Sequence, residues 1–84
     1  MPGTPPQVTL YTRKGCCLCD DAKRVLESVR ARTIFELLEV DIDTDAALRS
    51  RYNDEVPVIA INGRKAFKYR VRERELLKKL AARA

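Results

Sequence analysis

Three cysteines lie within four residues of one another, in Gly15-Cys16-Cys17-Leu18-Cys19-Asp20, and the chain has no other cysteine and no histidine. Without imidazole, chemistry here must run on sulfur, carboxylates or backbone dipoles. Cys16 and Cys19 make a C-x-x-C. On a helix, an i, i+3 spacing sets two sulfurs on neighbouring turns, close enough to bond when the first sits at the helix N-terminus. The unpaired N–H groups and partial positive charge there stabilise a thiolate, drawing a thiol pKa from about 8.5 toward about 7. The thiolate is the attacking form. Arg13 and Lys14 stand just upstream and should add to this effect; Asp20 and Asp21 oppose it from beyond the second cysteine. Cys16 is therefore the candidate nucleophile and Cys19 the candidate resolving cysteine. Cys16 would open a substrate disulfide, Cys19 would close on the mixed disulfide, and an external reductant would reset the pair.

Other readings of the same sulfurs compete. Cys16 and Cys19 can be an inert buried pair. Cys16, Cys17 and Cys19 can serve a metal or an iron–sulfur cluster if a dimer, glutathione or a carboxylate completes the site. Cys17 is expected to point outward from the first helical turn, as a bystander or a site of glutathionylation or of an intermolecular disulfide. The candidate substrate-binding residues are Arg13, Lys14, Val56 and Pro57. A proline opening a strand can be cis or an ordinary trans residue at an edge. The backbone of Val56 can pair with an extended substrate segment by strand addition.

The elements that must position these residues follow from periodicity. Residues 7–12 read as a strand, with Val8 and Leu10 alternating with Thr9 and Tyr11. Leu18, Ala22, Val25, Leu26 and Val29 form one helical stripe, with acids at its start and arginines near its end. Residues 34–42 read as a second strand, with Leu38, Val40 and Ile42 on one face, parallel to the first. A short helix over 45–52 is expected to be capped by Thr44 or Asp43 and to end at Asn53. Residues 56–61 read as a buried strand entered by Pro57. Asn62-Gly63 suits a two-residue type I′ turn into an antiparallel strand at 65–69. Leu76, Leu77 and Leu80 mark a last helix over 72–82. The order β-α-β-α-β-β-α predicts an α/β fold: a mixed four-stranded sheet with helices on both faces.

An 84-residue chain is one domain. Its 45% hydrophobic and 35% charged residues are those of a folded chain rather than a disordered one. No apolar run is long enough to span a bilayer. The proline-rich start is read as a disordered lead-in over 1–6 rather than a signal peptide, with the domain at 7–84. Charge is uneven: eight Lys/Arg against ten Asp/Glu up to Asn62, then nine against two from Gly63 onward, giving −2 and +7. The basic end can meet nucleic acid, an acidic protein surface or the carboxylates of a small peptide; the plain alternative is a solvated face. With three Tyr and two Phe, few aromatics are on hand for base stacking.

The stretch Leu10-Tyr11-Thr12-Arg13-Lys14-Gly15-Cys16-Cys17-Leu18-Cys19-Asp20 resembles the active-site segment of glutaredoxin-like proteins of the thioredoxin superfamily. Val56-Pro57-Val58 is similar to their cis-proline segment, and Asn62-Gly63 to their hairpin turn. The resemblance implies a thioredoxin-like fold, a nucleophilic Cys16, a resolving Cys19 and a cis Val56–Pro57 peptide. It also implies glutathione or a protein dithiol as redox partner. The sequence departs from glutaredoxins at Cys17 and Leu18, where an aromatic and a proline are usual. It departs again at Tyr69-Arg70-Val71-Arg72-Glu73-Arg74, where those proteins carry a Gly-Gly and an acidic pair that receive one end of glutathione. The expectation is a monomeric, cytoplasmic thiol–disulfide oxidoreductase with no bound cofactor. Its substrates would be protein or glutathione mixed disulfides, its electron donor a reductase or glutathione, and neither membrane nor nucleic acid a partner.

Overall fold

The computed structural model describes residues 5–83, with side-chain surroundings through Ala81. Residues 1–4 of the expected lead-in lie outside the described residues. Pro6 is already tied to the sheet, its carbonyl accepting from the Glu36 N–H at 2.9 Å.

The elements run β1 (Gln7–Thr12), α1 (Cys17–Arg30), β2 (Glu36–Asp41), a 3₁₀ turn (Ile42–Thr44), α2 (Ala46–Tyr52), β3 (Val58–Ile61), β4 (Arg64–Lys68) and α3 (Glu73–Arg83). The sheet order is β2-β1-β3-β4. β1 is parallel to β2 and antiparallel to β3, and β3 is antiparallel to β4. The mixed four-stranded sheet of the sequence reading is the sheet observed.

Strand alternation sorts β1 and β3 onto two faces. Val8, Leu10, Ile59 and Ile61 meet Ala22, Leu26 and Val29 of α1 and Leu76 and Leu80 of α3 in the main core. Each fully buried leucine there contributes about 2 kcal/mol. On the other face Tyr11 and Val58 pack with Ile42, Leu48, Tyr52 and Val56. The Tyr11 and Tyr52 rings lie 4.7 Å apart, tilted by 33°.

Several local expectations are corrected. β2 is shorter than 34–42, and its inward residue is Leu37, not Leu38. Leu38 is opposite Thr9 and 49% exposed, because the small cluster under α2 covers only the Tyr11–Val58 end of that face. Ile34 is 81% exposed, while Phe35, outside the strand, is buried in the main core. Ile42 is buried from the 3₁₀ turn rather than from a strand. The cap of α2 is Asp45, whose carboxylate accepts from Ala47 N at 2.8 Å and Leu48 N at 3.3 Å. Thr44 instead donates to the Asp41 carbonyl at 2.7 Å, and Asp43 is held by Arg13.

The hairpin turn is of type I′, with Asn62 at φ 51° and Gly63 at φ 84°. Asn62 also ties the hairpin to the start of β1: its N–H donates to the Gln7 carbonyl at 2.8 Å, and its Oδ1 accepts from Gln7 N at 2.9 Å. β4 starts one residue earlier than expected. A bulge sets Ile59 against Phe67 and Ala60 against Lys65, so Ala66 is the extra residue.

Candidate active site

The chain leaves β1 at Thr12 and must reverse into α1 within four residues. Gly15, at φ 78°, takes the left-handed conformation this turn requires. Cys16 then sits in extended conformation as the N-cap of α1. Its Sγ accepts from the Cys19 N–H at 3.1 Å, filling a place that Ser, Thr, Asp or Asn commonly fill. Cys16 and Cys19 are joined as a disulfide with their Cα atoms 5.2 Å apart, within the span a disulfide bridges.

The three sulfurs differ in access. Cys19 is 2% exposed, Cys16 half-buried, and Cys17 exposed and free. The pair can thus be approached from outside through Cys16, while Cys19 stays behind it. Among the described residues, no three Cys, Asp or Glu side chains are grouped as a metal site.

Register brings Pro57 to the same end of the sheet. Tyr11 pairs with Val58, so one further antiparallel step sets Pro57 across from Thr12, where the chain turns toward Cys16. The Val56–Pro57 peptide is cis, and Pro57 is buried. Its carbonyl accepts from Tyr69 N at 2.9 Å. The half-buried Val56 side chain packs in the smaller cluster; among the described residues its own N–H and C=O make no backbone hydrogen bond.

Arg13 and Lys14 are placed differently from one another. The Arg13 guanidinium grips Asp43 with both arms, Nη2 to Oδ1 at 2.6 Å and Nε to Oδ2 at 3.2 Å. It also donates from Nη1 to Asn53 Oδ1 at 2.9 Å. Through these hydrogen bonds first, Arg13 holds the Asp43 carboxyl below the ordinary carboxylate range, and Asp43 raises the guanidinium above its own. The donors of Arg13 therefore fasten the Cys16 loop to the end of α2. Lys14 is exposed on a groove it shares with Asp20, Lys23, Glu39 and Asp41.

Sequence reasoning did not single out Asp43 or Asn53 as partners of Arg13, nor the junction of Tyr69 with Pro57. The first was within reach: parallel strands end side by side, so an arginine after β1 and an acid after β2 become neighbours. No local signal marks Tyr69.

A central sheet flanked by helices on both faces, with a disulfide pair at the N-terminus of α1, defines a thioredoxin-like protein. A mutant thioredoxin from Halobacterium salinarum superposes with a TM-score of 0.72 at 19% identity, over 94% of this chain and 74% of its own, which shows the fold alone. The sequence narrows this further: residues 7–81 match the family model for the glutaredoxin-like domain (DUF836), and the chain belongs to that family. A solved structure of a protein from X. campestris, XcR50, is 38% identical, with a TM-score of 0.76 over 89% of this chain and 96% of that one. A protein of Dictyostelium discoideum named glutaredoxin-like protein YDR286C homolog is 31% identical over 82% of this chain and 69% of its own. Fold, family and cysteine pair together suggest a redox function. Among the described residues no helix is long and apolar enough to cross a membrane.

Proposed function

We propose that this chain is a thiol–disulfide oxidoreductase working by a dithiol mechanism, with Cys16 as nucleophile and Cys19 as resolving cysteine. The observation that carries the reading is the N-cap position of Cys16: half-buried, its sulfur accepting from Cys19 N at 3.1 Å, with the buried Cys19 one turn on. In the reduced protein the N–H groups and dipole of α1 favour the Cys16 thiolate.

That thiolate attacks one sulfur of a substrate disulfide. A mixed disulfide forms, and the other substrate sulfur leaves as a thiolate that takes up a proton. Cys19 loses its proton and attacks Cys16 Sγ, so the Cys16–Cys19 bond forms and the second substrate thiolate departs and is protonated. The substrate gains two electrons and two protons, and the dithiol loses them. A reductase or glutathione returns them, in a reducing compartment such as the cytoplasm. The substrate's extended segment lies along Val56 and Pro57, where the main chain of Val56 offers a donor and an acceptor.

The test is disulfide reduction by wild type, Cys16→Ser, Cys17→Ser and Cys19→Ser. Cys16→Ser is expected to lower turnover by on the order of 10³-fold or more. Cys19→Ser is expected to accumulate a mixed disulfide visible by mass spectrometry, and Cys17→Ser to stay within about twofold of wild type. Equal loss in all three variants would overturn the dithiol assignment and turn attention to a site built from all three sulfurs.

A further inference from the structure

A groove of about 190 Å³ opens beside Leu18, the residue between Cys17 and Cys19. Its floor is apolar: Leu18, Ala22 and Val25 from α1, and Val71 from the segment ahead of α3. Its wall is cationic. Arg70 and Arg72 line it; both are exposed, and neither has an ion-pair partner among the described residues. The acid that reaches the groove, Asp21, is engaged with Arg24 at 3.0 Å.

The groove is tied to the redox pair at both sides. Its floor starts inside the C-x-x-C at Leu18. Its wall starts at Tyr69, whose N–H is bonded to the Pro57 carbonyl at 2.9 Å. Tyr69 holds φ 67°, a conformation a bulky residue rarely adopts; the residue is 45% exposed and lines the groove. The turn at Tyr69 carries the chain off β4 and into the run that holds both arginines.

We propose that this groove is the specificity site of the reaction. It would take an apolar side chain of a protein substrate, flanked by Asp or Glu, next to the substrate's disulfide cysteine. A cavity near 150 Å³ lined by apolar atoms admits benzene, so the space suits a leucine or phenylalanine side chain. The two arginines supply the complement to the flanking carboxylates. Glutathione brings carboxylates but no apolar side chain and would leave the floor unfilled, which favours a protein segment as the occupant. The inference rests on the redox reading above and adds only recognition; the electrons move as already written.

The test uses the whole chain and four oxidised substrates. Three are synthetic peptide disulfides whose cysteine is flanked by Leu and two Glu, by Leu and two Lys, or by Ser and two Glu. The fourth is glutathione disulfide. Each exposed charge pair contributes up to a few-fold, so kcat/KM is expected to favour Leu-Glu over Leu-Lys by roughly fivefold or more, less so at high salt. The Ser-Glu peptide and glutathione disulfide are expected to fall below Leu-Glu by a similar factor. Arg70→Glu with Arg72→Glu is expected to invert the Glu/Lys order, and Lys78→Glu, on α3 away from the groove, to leave it unchanged.

Binding of fluorescent serine-for-cysteine versions of the peptides is read alongside by anisotropy. Reduction of all four substrates at similar rates, with no change of order in the double variant, overturns the groove and leaves the redox reading standing. Charge-dependent binding without any reduction overturns the redox reading and leaves the groove. Neither binding nor reduction overturns both.

Discussion

On one side of the α1 N-terminus, Arg13, Lys14 and Lys23 stand among Asp20, Glu39, Asp41 and Asp43, and most of those charges answer one another. Arg13 is paired with Asp43 at 2.6 Å and Lys23 with Glu39 at 3.0 Å. On the other side an apolar floor of Leu18, Ala22, Val25 and Val71 faces Arg70 and Arg72, which have no such partner among the described residues. Both sides are rich in arginine and lysine. What separates them is whether the cation is already satisfied inside the molecule. A paired arginine fixes a loop; an exposed one with no partner inside the molecule is free to meet a carboxylate from outside. The site therefore has a structural flank and a receptive flank, and the redox pair lies between them.

Four measurements sharpen or break that contrast. The largest effect is expected beneath the receptive flank. Leu26 is fully buried in the core that carries Ala22 and Val71, so Leu26→Ala should lower unfolding free energy by about 3 kcal/mol in a urea titration. A loss below about 1 kcal/mol would mean that this side does not rest on a packed core.

Next comes the structural flank. Arg13→Met removes the donors that fasten the Cys16 loop to Asp43 and Asn53. It is expected to reduce kcat/KM by roughly three- to tenfold through misplacement of Cys16. The Asp43 carboxyl sits below its ordinary value in the folded protein. Its stabilising contribution is therefore complete above the unfolded value, near pH 4, and is lost as pH falls through the lowered folded value. Acid unfolding followed by circular dichroism should show wild type losing stability below about pH 4 more steeply than Asp43→Asn. Parallel curves would show the pair to be idle. The smallest effect belongs to Lys23→Gln. Its partner Glu39 is as exposed as it is, so the melting temperature should move by less than about 2 °C.

The sequence was most readable where pattern is local. The helix carrying Cys16 and Cys19 announces itself through Leu18, Ala22, Leu26 and Val29, and the hairpin through Asn62-Gly63. Both depend on residues within one or two turns of each other, and both stand as read. The second strand was harder. Leu37 and Leu38 are equally apolar, and nothing in the string says which faces the core. That choice follows from pairing with β1 and from how little of the far face α2 covers. The cap of α2 moved from Asp43 or Thr44 to Asp45 for a similar reason: three neighbouring side chains can all accept, and two have partners elsewhere.

The sequence by itself determined the element order, the apolar stripe of α1, and the placing of Cys16 at a helix start. Each is settled by the geometry of a chain of a few residues. Only the tertiary structure decided which charges are answered. It joined Arg13 to Asp43 across 30 positions and Pro57 to Tyr69 across the hairpin, and it left Arg70 and Arg72 facing an apolar groove. Coulomb and hydrogen-bond partners are chosen by distance in space, and that distance does not exist until the sheet has closed.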